Sequence, residues 1–447
     1  MSRPQRGDEL ELHVDRLAYG GAGVARAEGY VVFVRGAVPG DRVRARVTKA
    51  KKSFAEADSV ELLDPSPDRV EAPVSHPGAP WQVLPYERQL AEKEAQVRDA
   101  LERLGGFSEP PVEPIMAAEQ RTGYRNKLEY SFGETPAGEL VLGFHRPGRW
   151  DVIDDVTTDV LASDRVDELR ESVKGWCREE GLSAWDRRDG GGLLRNLIVR
   201  EGRRTGRLQA RLVTSPGDFR ARELAAATGA DSVLWTQAAG VAETTRDGET
   251  QVLRGDAALE EELSGLRFRI SPDAFFQTNT EMAERLYAGA AELAGLSGRE
   301  RVIDLFCGIG TIALILALEA KEVWGVELVE EAVADAIGNA RLNGVDNTHF
   351  FAGDVRTAMR PLLEESGRPD VVVVDPPRAG LSQKVVRRLL EAQAERVVYV
   401  SCNPTTLAPN ARQMAEAGYA LRTVRPVDMF PQTPHIECVA LLERTAD

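Results

Sequence analysis

Apolar and polar positions alternate in short bursts over the first 65 residues: Leu10-Glu11-Leu12-His13-Val14, Tyr30-Val31-Val32-Phe33-Val34 and Arg42-Val43-Arg44-Ala45-Arg46-Val47, with the glycine-rich Gly20-Gly21-Ala22-Gly23-Val24 among them. Period-two patterns at that spacing predict a small antiparallel barrel. A connector rich in proline follows (Pro65, Pro67, Pro73, Pro77, Pro80). After it Leu90, Val97, Leu101 and Leu104 recur at helical spacing over 87–104, until Gly105-Gly106 stops the pattern. Residues 121–265 mix the two periods, strand-like at 128–132, 140–144, 193–199 and 208–213 and helical at 165–180, so an α+β region is expected. From about 266 strand and helix alternate, the pattern of a parallel sheet with covering helices. The predicted strands are 302–306, 323–326, 348–352, 370–374 and 396–400, and 420–427 with 437–442 fits a closing antiparallel pair. The expected division is a barrel over 1–65, a central α+β region over 66–265 whose 87–104 helix packs on the last domain, and a doubly wound α/β domain over 266–447.

Composition narrows the class. The longest apolar runs, such as Ile312–Leu318 and Val371–Val374, are far shorter than a membrane span, and the charged amino terminus lacks the apolar core of a secretory signal. A cytoplasmic protein with no membrane partner is expected. The four cysteines (Cys177, Cys307, Cys402, Cys438) are widely spaced with no CxxC pair, which argues against a disulfide framework or structural zinc. Any special cysteine should be a reactive one.

The balance of 56 Lys+Arg against 71 Asp+Glu gives −15, a sum that repels polyanions while it is treated as uniform. Its distribution is uneven. Arg42, Arg44 and Arg46 share one face of a predicted strand, and Lys49, Lys51 and Lys52 follow with no acid between 42 and 52. Such a stripe suits a phosphate backbone; the alternative is a solvated edge strand blunted by charge. Between 186 and 211 eight arginines face three acids, whereas 281–370 carries sixteen acids against eight basic residues. The net charge therefore conceals basic islands, and localised, salt-sensitive binding of nucleic acid is compatible with it.

Chemistry concentrates in the last domain. Asp304-Leu-Phe-Cys-Gly308-Ile-Gly310-Thr311 is a strand running into a glycine turn that opens a helix, where amide groups and the helix amino end face a ligand. The dinucleotide fingerprint is incomplete, since Ala313 stands at its third glycine. Glu327 ends the second strand, where a carboxylate can bind ribose hydroxyls, and Asp354 follows the third. This arrangement resembles the S-adenosylmethionine pocket of class I methyltransferases more than an NAD site. Asp375-Pro376-Pro377-Arg378 ends the fourth strand, Ser401-Cys402-Asn403-Pro404 the fifth, and His435-Ile436-Glu437 enters the terminal hairpin, so all three can converge at the carboxyl edge of the sheet. One thiol, one positioned carboxylate and one base around a methyl donor answer a particular problem, because C5 of uracil is a poor nucleophile. A thiolate adding at C6 creates an enolate nucleophilic at C5, and a base then removes the C5 proton so that the thiol can leave. Cys402 is the expected nucleophile and Glu437 the expected base.

With those residues in hand the chain resembles, over nearly its whole length, the RNA 5-methyluridine (uracil-C5) methyltransferases. Phe275-Phe276-Gln277-Thr278-Asn279, DLFCGIGT, DPPR, SCNP and His-x-Glu stand in that family's order, and the barrel looks like its TRAM domain. The resemblance implies a Rossmann-like class I methyltransferase domain, an OB-like TRAM barrel and a central α+β domain. It also implies S-adenosylmethionine as cofactor, with Gln277, Phe306, Thr311, Glu327, Asp354 and Asp375 at cofactor positions. Thr311 and Asp354 stand where relatives often carry asparagine.

Several ribosomal RNA members hold an iron–sulfur cluster on cysteines just after the barrel. The corresponding segment here, 75–86, has none, so neither cluster nor metal is expected, and His76 reads as a lone surface histidine. Cys307 and Cys438 read as packing residues. The expected partner is RNA, held by Arg42, Arg44, Arg46, Lys49, Lys51, Lys52 and the 187–211 arginines, with the target uridine flipped out to reach Cys402. A TRAM-like barrel favours 23S rRNA, absence of the cluster is shared with tRNA enzymes, and a monomer is expected. Two other readings remain open: an amino methyltransferase using the Asp-Pro-Pro motif, with Arg378 replacing its usual aromatic, and a non-catalytic RNA-binding or chaperone protein. A 5-methylcytosine enzyme would carry a cysteine beside the proline of the fourth-strand motif, which is absent.

Overall fold

The computed structural model describes residues 3–240 and 248–445. Strands β1 (Glu9–Leu17), β2 (Gly23–Ala27), β3 (Tyr30–Arg35), β4 (Arg42–Ala50) and β5 (Phe54–Asp64) close into a barrel in the order β1-β2-β3-β5-β4. Alternation explains it: Leu12, Val14, Val32, Val34, Val43 and Val47 turn inward to form the core, and charged residues turn out.

The outward face of β4 corrects the expected basic stripe. Antiparallel register sets Glu9 opposite Arg46 and Glu11 opposite Arg44 on one side, and Asp64, Glu61 and Glu56 opposite Arg42, Arg44 and Lys49 on the other. The side chains pair accordingly: Arg42 with Asp64 at 2.7 Å, Arg46 with Glu9 at 2.8 Å, Lys49 with Glu56 at 3.0 Å, and Arg44 with Glu61. The acids come from β1 and β5, outside the 42–52 window, so the face is of mixed sign. Lys51 and Lys52 project from the β4–β5 turn beside Arg3 and Arg6, and these four cations line one shallow concavity with no acid among its lining residues.

A one-turn 3-10 helix (Pro80–Val83) leads into α1 (Tyr86–Arg103), whose Val97, Ala100 and Leu101 join the core of the last domain. His76, in the connector, is buried and not a surface residue: its Nε2 lies 2.8 Å from Asp159 Oδ1, and Asp159 Oδ2 accepts from Tyr130 Oη at 2.7 Å. The imidazole also packs 5.2 Å from the Phe144 ring.

The central region is built on β6 (Lys127–Glu134), β7 (Leu140–His145), β8 (Ile153–Asp155), β9 (Leu194–Glu201), β10 (Leu208–Thr214), β11 (Ser232–Gln237) and β12 (Glu249–Arg254), in the order β12-β11-β10-β9-β6-β7-β8. Helices α2 (Asp164–Glu179) and α3 (Ala221–Ala227) accompany it, and the hairpin β13 (Leu259–Leu263) and β14 (Leu266–Ile270) leads out. The arginines of 187–211 do not form an open basic surface. Arg195, Arg200 and Arg211 are buried on β9 and β10: Arg195 stacks on Trp185, Arg200 donates to the carbonyls of Ser271, Pro272 and Ala274, and Arg211 meets Thr236 and Asp273. Arg188, Arg203, Arg204 and Arg207 pair with acids.

The last domain is doubly wound. Its elements are α4 (Thr280–Ala294), β15 (Arg301–Leu305), α5 (Thr311–Ala317), β16 (Glu322–Glu327), α6 (Glu330–Leu342), β17 (Thr348–Ala352), α7 (Val355–Ser366), β18 (Val371–Val374), α8 (Gln383–Ala392), β19 (Arg396–Ser401), α9 (Pro404–Ala415), β20 (Tyr419–Val427) and β21 (Glu437–Arg444). The sheet order is β17-β16-β15-β18-β19-β21-β20. All four valines of β18 are fully buried, Val371 and Val373 feeding the core on one face of the sheet, Val372 and Val374 the core on the other. That double burial explains an apolar run without alternation. The order reverses between β15 and β18, which opens a crevice at their carboxyl ends.

Candidate active site

The crevice is formed by strand ends whose local sequences force sharp turns. After β15 the chain passes through Phe306 and Gly308 with φ of 68° and 54°, then Gly310 at φ 86° caps α5. A side chain at Gly310 would press to 3.2 Å on Ala336 and 3.3 Å on Phe350, whereas one at Gly308 would meet open space, so Gly308 faces the crevice. Glu327 closes the turn: its Oε2 accepts from the Gly308 amide at 3.2 Å and its Oε1 from the Val329 amide at 3.0 Å. Gln277 is buried on the opposite wall, where its carbonyl accepts from Asn126 Nδ2 at 2.8 Å, and the buried Tyr287 hydroxyl lies between Gln277 and Thr311.

Carboxyl groups are concentrated here. Burial drives Asp304 well above the usual carboxylate range, Asp375 adds to that, and neither Asp304 oxygen completes a hydrogen bond, although the Ala313 amide lies near enough to favour the charged form. Burial alone raises Asp375 to about 7. An orphaned carboxyl at Asp304 beside a glycine turn and a helix amino end fits a cofactor with cationic centres, as S-adenosylmethionine has in its sulfonium and ammonium groups. Asp354 is engaged otherwise: it caps α7, accepting from the Arg356 amide at 2.8 Å, and its ion pair with Arg356 holds it down to about 2.

At the other side of the crevice the antiparallel register of β19 and β21 sets Ser401 opposite Cys438, so Cys402 and Glu437 are the next neighbours across the strands. Cys402 is half-buried between β19 and α9, whose first turn Asn403 caps through Thr405. Burial pushes its thiol up to about 12, with Glu437 and Asp375 adding to the rise and Arg378 opposing it. Glu437 is fully buried and raised well above its ordinary value, by burial first and Asp375 second. Arg378 Nη2 approaches His435 Nδ1 at 3.4 Å, and burial with Arg378, Arg125 and Lys93 depresses that imidazole to about 4, so it is neutral at pH 7.

A family model described as tRNA (uracil-5-)-methyltransferase matches residues 233–445, and a TRAM domain model matches 3–60. An RNA methyltransferase of Chlorobaculum tepidum is 40% identical over 99% of this chain and 98% of its own length, and one of Halalkalibacterium halodurans is 37% identical over 98% and 97%. The chain belongs to the RNA uracil-C5 methyltransferase family. Among solved structures, a Pyrococcus abyssi tRNA (uracil-54, C5)-methyltransferase in complex with S-adenosyl-L-homocysteine superposes with a TM-score of 0.80 at 29% identity, covering 97% of this chain and all of that one.

This methyltransferase is therefore an S-adenosylmethionine-dependent enzyme with a TRAM barrel and a class I catalytic fold. Gln277, Phe306, Thr311, Glu327 and Asp375 come to one crevice with Cys402 and Glu437, and Asp354 sits at its outer end. Arg42, Arg44, Arg46 and Lys49 lie apart on the neutralised barrel face, while Lys51 and Lys52 remain unpaired among the described residues. Cys307 and Cys438 are buried. Among the described residues no cluster of acids, histidines and cysteines could hold a metal, and no helix is long and apolar enough to cross a membrane.

Several residues escaped sequence reasoning. Tyr287 and Asn126 fix Gln277, and Tyr19 reaches Cys402 from the barrel. Lys93 forms a fully buried ion pair with Asp428 at 2.6 Å, ahead of Glu437. For Lys93 the only signal was a polar residue interrupting the apolar face of α1, and for Asn126 there was none.

Proposed function

We propose that this methyltransferase adds a methyl group to C5 of a specific uridine in RNA through a covalent Cys402–C6 adduct, with Glu437 removing the C5 proton. The observation that carries the reading is the register of β19 and β21, which sets a thiol and a buried carboxyl side by side at the cofactor crevice. Gln277, Phe306, Thr311, Glu327, Asp354 and Asp375 would hold the cofactor, whose cationic centres would favour the ionised form of the buried Asp304 and Asp375 carboxyls. Bound S-adenosylmethionine supplies an electrophilic methyl group.

The residues of the chain do the rest. Arg378 opposes the rise in the Cys402 pKa and so favours the thiolate. The thiolate bonds to C6, the C5–C6 pair of electrons moves into an enolate, and C5 becomes the nucleophile. After methylation C5 carries both hydrogen and methyl. Glu437 takes the proton, the C5=C6 bond re-forms and the C6–S bond breaks, returning Cys402. A carboxylate raised by burial is a stronger base than an ordinary one, and its enclosure keeps bulk water from competing.

In this reading the barrel (1–65) and central region (66–265) present the RNA to the catalytic domain (266–447). RNA phosphate would be held at Arg3, Arg6, Lys51 and Lys52, with the neutralised β4 face of Arg42, Arg44, Arg46 and Lys49 contributing only where RNA displaces their acids. We favour 23S rRNA, on the likeness of the barrel to the TRAM domain of ribosomal RNA members of the family. A second reading, tRNA, has its own support in the Pyrococcus abyssi enzyme, which shares the architecture end to end. Incubating the enzyme and cofactor separately with unmodified 23S rRNA and tRNA, and mapping 5-methyluridine in each, tests both. Product in rRNA alone supports the first, product in tRNA alone the second, and methylated adenosine, guanosine or cytidine in place of 5-methyluridine refutes uracil chemistry.

A further inference from the structure

The turn between β1 and β2 leaves the barrel and enters the catalytic domain. Tyr19 donates its hydroxyl to the main-chain carbonyl of Cys402 at 3.1 Å, and its ring packs against the catalytic core. Two residues later Gly21, at φ +88°, lies so close to the segment before Glu437 that an added Cβ would stand 2.8 Å from Pro434 Cβ and 3.3 Å from Trp81 Nε1. The turn thus touches the carrier of the thiol on one side and the approach to the carboxylate on the other. Its seat is firm. The Leu17 amide donates to Glu92 of α1 at 3.4 Å, Arg16 pairs with Asp99 at 3.5 Å, and the Trp81 amide donates to the Gln432 carbonyl at 2.9 Å.

We propose that Tyr19 is a positioning residue of the active site, and that the barrel is a wall of that site as well as an RNA-binding arm. The inference rests on the reading of Cys402 as nucleophile. A carbonyl held by a hydroxyl fixes the Cys402 peptide plane, and with it the direction of the Cα–Cβ bond that aims the sulfur. Cys402 stands between a strand end and a helix start, where its own carbonyl is outside the β19 ladder, so the Tyr19 hydroxyl is the fixed partner that carbonyl has. The electrostatics agree: burial, with Cys402 next and Glu437 contributing, pushes the Tyr19 phenol up to about 12, which keeps it protonated and donating.

The test uses full-length enzyme, S-adenosylmethionine and RNA containing 5-fluorouridine at the target, following the rate of denaturant-stable adduct alongside RNA affinity by filter binding. Tyr19→Phe removes one hydrogen bond and is expected to slow adduct formation roughly three- to tenfold while leaving RNA affinity unchanged. Gly21→Val, which pushes the turn off Pro434 without touching the hydroxyl, is expected to slow it as well. A wild-type rate in Tyr19→Phe overturns the inference, as does a loss of RNA affinity that accounts for the whole slowing. Failure of the parent reading looks different: an adduct that survives Cys402→Ala removes Cys402 as nucleophile, and Tyr19 loses its role with it.

Discussion

Lys93→Met is the perturbation that most directly probes how the segment before Glu437 is held. Lys93 and Asp428 are completely buried, Nζ lies 2.6 Å from Asp428 Oδ1 and 3.0 Å from the Phe430 carbonyl, and no solvent reaches either charge. Burial pulls the ammonium below its ordinary pKa, and Asp428 opposes that pull. Asp428 also accepts from the Tyr86 hydroxyl at 2.9 Å and the Phe430 amide at 3.2 Å. Methionine has nearly the lysine stem and no charge, so the substitution leaves a carboxylate buried without its counter-ion. Breaking one half of a buried pair costs about 3–5 kcal/mol, and the two surviving hydrogen bonds argue for the lower end. The assay is urea denaturation at pH 7, read by Trp fluorescence. Adding Asp428→Asn to Lys93→Met removes the stranded charge and should restore part of the loss, about 1–2 kcal/mol, because an unpaired buried charge costs more than an unmade neutral hydrogen bond. A Lys93→Met cost under about 1 kcal/mol, or a double variant whose loss is the full sum of the singles, would refute the reasoning.

Two further outcomes follow from the electrostatics. His435 is held at about 4 in the native state, against an ordinary value near 6.5, so below pH 6.5 the unfolded chain binds more protons than the folded one. Its contribution is complete above pH 6.5 and falls as pH drops toward 4, by roughly 3 kcal/mol; His435→Asn should flatten that limb of the urea midpoint against pH, and an unchanged slope would contradict the assignment. At the barrel, Lys51→Glu with Lys52→Glu should weaken RNA binding and lower the slope of log affinity against log salt by about two, whereas Arg44→Ala, whose guanidinium is already paired with Glu61 and Glu11, should change it little. Equal losses in both variants would restore the β4 stripe as the RNA contact.

What the sequence made legible follows from which interactions are local. Strands β15, β16, β18 and β19 stood out because they are buried on both faces, so apolar runs such as Val371–Val374 need no partner to be recognised, whereas the edge strand β17 is only partly buried. Helix α9 was hidden by Pro404 and Pro409, although Pro404 occupies the first turn, where the missing amide is no loss. Pro361 hid α7 in the same way. In β13 the run Glu260-Glu261-Glu262 masked an alternation in which Glu261 points inward to the amides of Arg203 and Arg204 and the hydroxyl of Thr280. The basic stripe misled because a sequence window sees Arg42 to Lys52 and cannot see Glu9, Glu11 and Glu61 laid across it by register. His76 misled for the same reason, its partner Asp159 standing 83 residues away. In the crevice the motifs mark strand ends, while Tyr19, Asn126, Tyr287 and the Lys93–Asp428 pair are single residues brought there by other domains or distant helices, with no local pattern to mark them.

The proposed attack of Cys402 on C6 of uracil is put to the test with RNA carrying 5-fluorouridine, because fluorine at C5 cannot leave as a proton and the C6–S bond is trapped. With S-adenosylmethionine the wild-type enzyme should form a protein–RNA adduct that survives denaturing electrophoresis, with the cross-link mapping to Cys402 by mass spectrometry, and Cys402→Ala should form none. An adduct on another residue, or one undiminished in Cys402→Ala, would contradict the account.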